Sequence, residues 1–143
     1  MMWLKYWGCK VGMRNRAAKH YLIKWGYLDE HIKDLNETEL IQMKILYATL
    51  KQLPDQQRDL LQEKYRVPRS SLEKGKNSLN DPTCAEIRGV NLKRYRTLRI
   101  QAETAFQEIF ETVEKQYEQE LQKAIEIEYR GRGKGKKALT DKI

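Results

Sequence analysis

The stretch from Asp81 to Ile100, DPTCAEIRGVNLKRYRTLRI, constrains the fold of this chain more than any other segment. It places the small residue Ala85 four positions before Gly89, as two short helices that cross over a tight turn require. Glycine tolerates the left-handed backbone of such a turn, and Asn91 is suited to cap the next helix. The spacing therefore predicts a helix-turn-helix.

Apolar and small positions on both sides of the turn complete this unit, because their helical spacing directs them into one small core. One position departs from the usual pattern. Arg88 stands before Gly89, where such units usually bury a large apolar side chain, and the neighbouring Ile87 is a candidate substitute. The predicted core of the motif is Cys84, Ala85, Gly89, Val90, Tyr95 and Leu98.

The second helix of the motif has a polar, basic face opposite its apolar one. Lys and Arg can contact phosphates or the guanine edge, Gln can pair with adenine, and Thr can contact a thymine methyl group. A solvated helix in an ordinary bundle could have the same composition, but the small residue, the turn glycine and the cap together favour DNA reading. The predicted base-reading residues are Lys93, Arg94, Arg96, Thr97 and Gln101.

The charge of the chain is unevenly distributed. The net charge is +8, and residues 64–101 hold ten basic and three acidic residues, whereas residues 102–128 hold two basic and eight acidic ones. A basic block of this kind is typical of a surface that displaces counterions from DNA. The predicted contacts to the DNA backbone are Lys64, Arg66, Arg69, Lys74, Lys76 and Arg99.

Helical patterns flank the motif on both sides. We expect helices over 13–25 and 37–52, with Asn36 and Glu39 as a capping pair, and a further helix beginning at Pro54. Residues 68–81 are rich in turn formers and are expected to form a flexible loop, which either contacts the DNA backbone or is merely solvated.

The C-terminal part predicts one long helix, because residues 102–130 contain neither glycine nor proline. We expect it to stop at Gly131 and to be followed by a disordered basic arm. An apolar row along this helix could join two copies of the chain or fold back on the first helices. The row consists of Phe110, Val113, Tyr117, Leu121 and Ala124.

These patterns together predict an all-α fold in three parts: an N-terminal helical segment over 1–52, a DNA-binding helix-turn-helix domain over 53–115, and a helical extension with a basic flexible tail over 116–143. No run of the sequence has the roughly 18 apolar residues of a membrane span, and we expect a cytoplasmic protein without membrane partners. The chain has only two cysteines, Cys9 and Cys84, and this small number predicts no disulfide framework. Neither a metal site, a cofactor nor a catalytic group is expected.

The chain resembles two families. From Leu53 to about Phe110 it is similar to region four of bacterial sigma factors, through LP, LLQEKY, AEIRGVN and the basic helix. It more closely resembles the ArpU-type phage regulators, relatives of the RinA-type late activators. The shared residues are Glu63, Lys64, Tyr65, Gly89, Arg94, Tyr95, Thr97, Leu98, Ala102, Ala105 and Phe106.

The resemblance implies a phage or prophage transcriptional regulator that binds double-stranded DNA and activates late genes in the cytoplasm of the host bacterium. Two alternatives remain open from the residues. One is a DNA-packaging component similar to a small terminase subunit, which would form a ring. The other is an adaptor that binds host RNA polymerase or a sigma factor through its acidic helix, residues 103–128. Whether a second copy of the chain is a partner, in a homodimer, also remains open.

Overall fold

The computed structural model describes residues 15–68, 71–72, 74–76 and 78–140, with side chains described as far as residue 130. Over these residues the fold is all-helical, as predicted. Its helices are α1 (Arg16–Glu30), α2 (Glu37–Lys51), α3 (Asp55–Tyr65), α4 (Asp81–Arg88) and α5 (Leu92–Thr140). None of the described helices has the length and apolarity that crossing a membrane requires.

Local capping explains where the first helices begin. The Asn15 side chain accepts hydrogen bonds from the amides of Ala17 and Ala18 at the start of α1. The predicted pairing of Asn36 with Glu39 is confirmed as a capping box at the start of α2. Each cap satisfies backbone donors that the first helical turn leaves unpaired.

Helix α1 extends five residues beyond the predicted end at residue 25, and Gly26 is part of it. A Cβ atom at this position would overlap the carbonyl oxygen of Val67. The glycine therefore reflects the close approach of the chain that leaves α3, and not a helix end. This contact joins the N-terminal helices to the segment that precedes α4.

One hydrophobic core unites all five described helices, with α5 packed along α2. The Tyr21 and Phe110 rings are 4.9 Å apart, and Phe110 stacks on Phe106 at 5.9 Å. Burying side chains of this size contributes about 1.5–3 kcal/mol each. The largest fully buried apolar and aromatic side chains are Trp25, Tyr65, Tyr95, Phe106, Phe110, Leu22, Leu28, Ile45, Leu46, Leu50 and Leu61.

The predicted apolar row of the C-terminal helix packs within the chain. Phe110, Val113 and Ala124 are buried in the core, and Tyr117 and Leu121 pack against it. Of the two alternatives, folding back on the first helices is therefore the one observed.

The predicted helix end at Gly131 is wrong, because α5 continues to Thr140. The disordered arm predicted from Gly131 onward is therefore not observed over 131–140. Glycine weakens a helix by about 1 kcal/mol per residue, which does not forbid it, whereas proline would. Extending an existing helix also needs no new nucleation.

Candidate nucleic-acid interface

The turn between α4 and α5 has the predicted local geometry. Gly89 adopts a left-handed backbone with φ of 71°, and the amide of Val90 donates to the carbonyl of Ala85 at 3.0 Å. The Asn91 side chain accepts from the amide of Arg94 at 2.7 Å. The glycine and the asparagine therefore occupy the positions that their conformational preferences favour.

The small core below this turn also matches the sequence. Cys84, Ala85 and Tyr95 are buried, and Val90 and Leu98 pack against them partly buried. Burial raises the pKa of the Cys84 thiol, while the nearby Tyr95 hydroxyl partly offsets this. Cys84 is thus a protonated packing residue. Cys9 lies outside the described residues.

Ile87 does not replace the missing apolar residue of the motif. Its side chain is 57% exposed, because it lies on the outer side of α4. Arg88 instead lies 3.1 Å from the Glu63 carboxylate, with both side chains about three-quarters withdrawn from solvent. An ion pair between α3 and α4 therefore stands where an apolar contact is usual.

The predicted base-reading residues all lie on the surface of the first three turns of α5. Lys93, Arg94, Thr97 and Gln101 are exposed, and the Thr97 hydroxyl donates to the carbonyl of Lys93 at 3.2 Å. Arg96 is also exposed, although its Nε lies 3.4 Å from the Asp81 carboxylate. The five side chains thus share one accessible, cationic face.

Two of the predicted backbone contacts are turned inward. Lys64 is only 7% exposed and donates to the carbonyl of Leu79 at 2.7 Å and to Asp81 at 2.9 Å. Arg99 lies 3.1 Å from Asp81 and donates to Glu103 at 2.9 Å. These internal partners remove both cations from the set available to phosphates.

The other predicted backbone contacts lie at or near the surface. Arg66 is exposed and forms an ion pair with Asp29. Lys74 and Lys76 are exposed, and Lys76 lines a groove beside the start of α4, together with Asn80 and Thr83. Arg69 lies outside the described residues.

A buried polar network under α5 was not predicted. Glu103 is only 1% exposed; it accepts a hydrogen bond from the Tyr65 hydroxyl and another from Arg99. Burial, together with the negative charge of Glu103, raises the pKa of Tyr65. One available signal was the spacing of Arg99 and Glu103, which are four residues apart on one helix.

Asp81 joins the network to the start of α4. Burial would raise the pKa of its carboxyl group, but the Lys64 ammonium and the Arg99 guanidinium outweigh this and hold the pKa below its ordinary value. Asp81 thereby links α3, α4 and α5 through charge.

No family model, curated protein or solved structure matches this chain. Among the residues that the structure describes, no three His, Cys, Asp or Glu side chains are grouped as metal ligands. The exposed cationic face of α5 is the candidate functional site that the described residues form.

Proposed function

We propose that this chain is a sequence-specific, non-catalytic DNA-binding protein that regulates transcription. The observation that carries the proposal is the exposed face of Lys93, Arg94, Arg96, Thr97 and Gln101 at the start of α5. Within the described residues, Lys93 and Arg94 form no ion pair, so their charges are available to a ligand. Thr97 and Gln101 add the donors and acceptors that base edges recognise.

The position of this face supports the same conclusion. It begins directly after a tight turn, where Asn91 caps α5, and the N-terminal residues of a recognition helix are the ones that contact base edges in the major groove. Exposed cations outside this face would then contact the phosphates that flank the groove. Arg66, Lys74 and Lys76 remain candidates for these contacts.

The likeness to ArpU-type and RinA-type phage regulators extends the proposal. In this interpretation the protein is encoded by a phage or prophage, acts in the cytoplasm of the host bacterium, and activates late genes with host RNA polymerase. The residues of the likeness include Tyr95, Ala102 and Phe106, all buried in the core. They support a common scaffold for the exposed face, and no cofactor enters the proposal.

The first test is selection of bound DNA from a random duplex pool at moderate salt, read by sequencing. We expect one enriched motif for the wild-type chain. Lys93→Ala should weaken enrichment, whereas the control Lys33→Ala, an exposed lysine between α1 and α2, should leave it unchanged. Salt-sensitive retention without an enriched motif would contradict sequence-specific regulation and favour a packaging or adaptor role.

A further inference from the structure

Arg96 differs from its neighbours Lys93 and Arg94 in having a carboxylate partner within the part of the chain that the structure describes. Its Nε donates to Oδ2 of Asp81 at 3.4 Å, and Asp81 is the first residue of α4. The Arg96 side chain is nonetheless 54% exposed. The contact therefore restrains the guanidinium without withdrawing it from the open side of α5.

The two oxygens of the Asp81 carboxylate have different partners. Oδ1 lies 2.9 Å from the Lys64 ammonium and 3.1 Å from Nε of Arg99, and all three of these side chains are largely withdrawn from solvent. Oδ2 accepts from Arg96. The two inner partners restrict rotation of the carboxylate, so Oδ2 is a fixed acceptor for the outer arginine.

The charge of Asp81 is already balanced from within the protein. Lys64 and Arg99 contribute two positive charges to this cluster. Asp81 contributes one negative charge, and Glu103, which accepts from Arg99, contributes the second. The positive charge of Arg96 is therefore left over. A purely structural role for Arg96, as the counterion of Asp81, is disfavoured because that carboxylate already has two cations.

A contact through Nε leaves the far edge of the guanidinium open. An arginine side chain has five N–H donors in a planar fork. With the Nε proton donated to Asp81, both terminal amino groups of Arg96 keep their donors. Two parallel donors of this kind match O6 and N7 of guanine in the major groove, whereas adenine presents a donor in place of O6.

We propose that Asp81 is a positioning residue that holds Arg96 by its Nε, so that the two terminal amino groups read one guanine. This inference rests on the proposed function and adds to it the identity of one base. Immobilising a long side chain on binding ordinarily reduces affinity by about 2- to 12-fold. Asp81 restrains Arg96 before DNA arrives and so removes part of this cost.

The experiment measures selectivity at one position of the selected DNA site. The position is the guanine whose enrichment Arg96→Ala abolishes, and selectivity is the Kd for adenine there divided by the Kd for guanine. We expect about 5- to 150-fold for the wild type, the range of a bidentate contact, and a ratio near one for Arg96→Ala. Arg96→Lys should also lose most of the selectivity, because an ammonium has no planar fork.

Removing the Asp81 carboxylate should lower this selectivity by about 2- to 12-fold. Because Asp81→Asn also weakens the fold, a second variant combines it with Lys64→Met and removes both members of the buried pair, a replacement that is often neutral for stability. The matched control, Glu63→Gln with Arg88→Met, removes a different ion pair between α3 and α4 and should keep the wild-type ratio. A weakened fold alone would reduce binding to both duplexes equally.

The contact can also be measured without DNA. In NMR spectra of the free protein, the Arg96 Nε–H signal should move in Asp81→Asn with Lys64→Met and stay in place in the matched control. An unmoved signal, or a selectivity that stays at or above the wild-type value without the carboxylate, would overturn this inference. So would an enriched motif in which Arg96→Ala relaxes no guanine.

These results would leave the proposed function standing, because an enriched motif alone supports sequence-specific binding. A random pool that yields no enriched motif would instead contradict the proposed function, and this inference with it.

Discussion

The Lys64 ammonium in α3 lies 2.9 Å from the Asp81 carboxylate at the start of α4, and both side chains are largely withdrawn from solvent. Asp81 also contacts Arg96 and Arg99 of α5. One carboxylate therefore connects three helices around the turn. Its removal would leave the Lys64 ammonium without a carboxylate partner in a region that water reaches poorly.

We expect Asp81→Asn to destabilise the fold by about 3–5 kcal/mol, the usual cost of removing one partner of a buried ion pair. Urea unfolding followed by circular dichroism measures this. The control Asp55→Asn removes the partner of Arg58, but Asp55 is 85% exposed, so its loss should cost less than about 1 kcal/mol. Equal effects of the two variants would show that the Asp81 network contributes no more than a surface pair.

The lowered pKa of Asp81 predicts a specific pH dependence. In the unfolded chain the carboxyl titrates near its ordinary value of 3.8. Its contribution to stability is therefore complete above that pH and is lost as the pH falls through the lower pKa of the folded state. The stability difference between the wild type and Asp81→Asn should be constant near neutral pH and should shrink below pH 3.8. Urea titrations at several pH values check this, and a difference that grows on acidification would contradict it.

Gly26→Ala should destabilise the protein by about 1–3 kcal/mol, although alanine is the better helix former. The added Cβ would overlap the Val67 carbonyl oxygen, and such overpacking outweighs the gain of about 1 kcal/mol in helix propensity. Gly89→Ala is the comparison, because its surroundings are open and only its positive φ resists the change. Thermal or urea unfolding measures both, and a Gly26→Ala variant more stable than the wild type would exclude the close approach.

Under the proposed function, Arg96→Ala should cost on the order of 1–3 kcal/mol on the selected DNA site, if Arg96 pairs with a guanine. Lys74→Ala should weaken binding to all sequences alike and lower the salt dependence by about one phosphate contact. Binding titrations on the selected and on a scrambled duplex separate the two effects. If Arg96→Ala weakened binding to both duplexes equally, Arg96 would contact a phosphate and not a base.

Local features of this fold followed from the sequence because they depend on residues close together in the chain. Gly89 and Asn91 satisfy the turn through their own backbone and side chain, and Asn36 pairs with Glu39 three residues away. The inward positions of Lys64 and Arg99 did not follow. Each depends on Asp81, which the fold brings near them from 17 or 18 positions away.

The helix end at Gly131 was mispredicted for a related reason. Glycine indicates a weak helix, but α5 is already held along α2 before it reaches this residue. Ile87 shows the opposite case, because hydrophobicity alone favoured burial and the ion pair of Glu63 with Arg88 occupies the place instead. The preferences of single residues decide little where a neighbouring element supplies the stabilisation.

Helix α5 begins at the exposed basic face and runs without glycine or proline from Leu92 to Arg130. Over this stretch it measures about 58 Å, at 1.5 Å per residue. The two ends are thus parts of one stiff rod, without an intervening linker that could absorb rotation. A partner that binds the C-terminal part of α5 therefore also sets the angle at which the basic face meets its ligand. In two chains joined through this helix, the distance between the two basic faces would be fixed by the helix and not by the ligand.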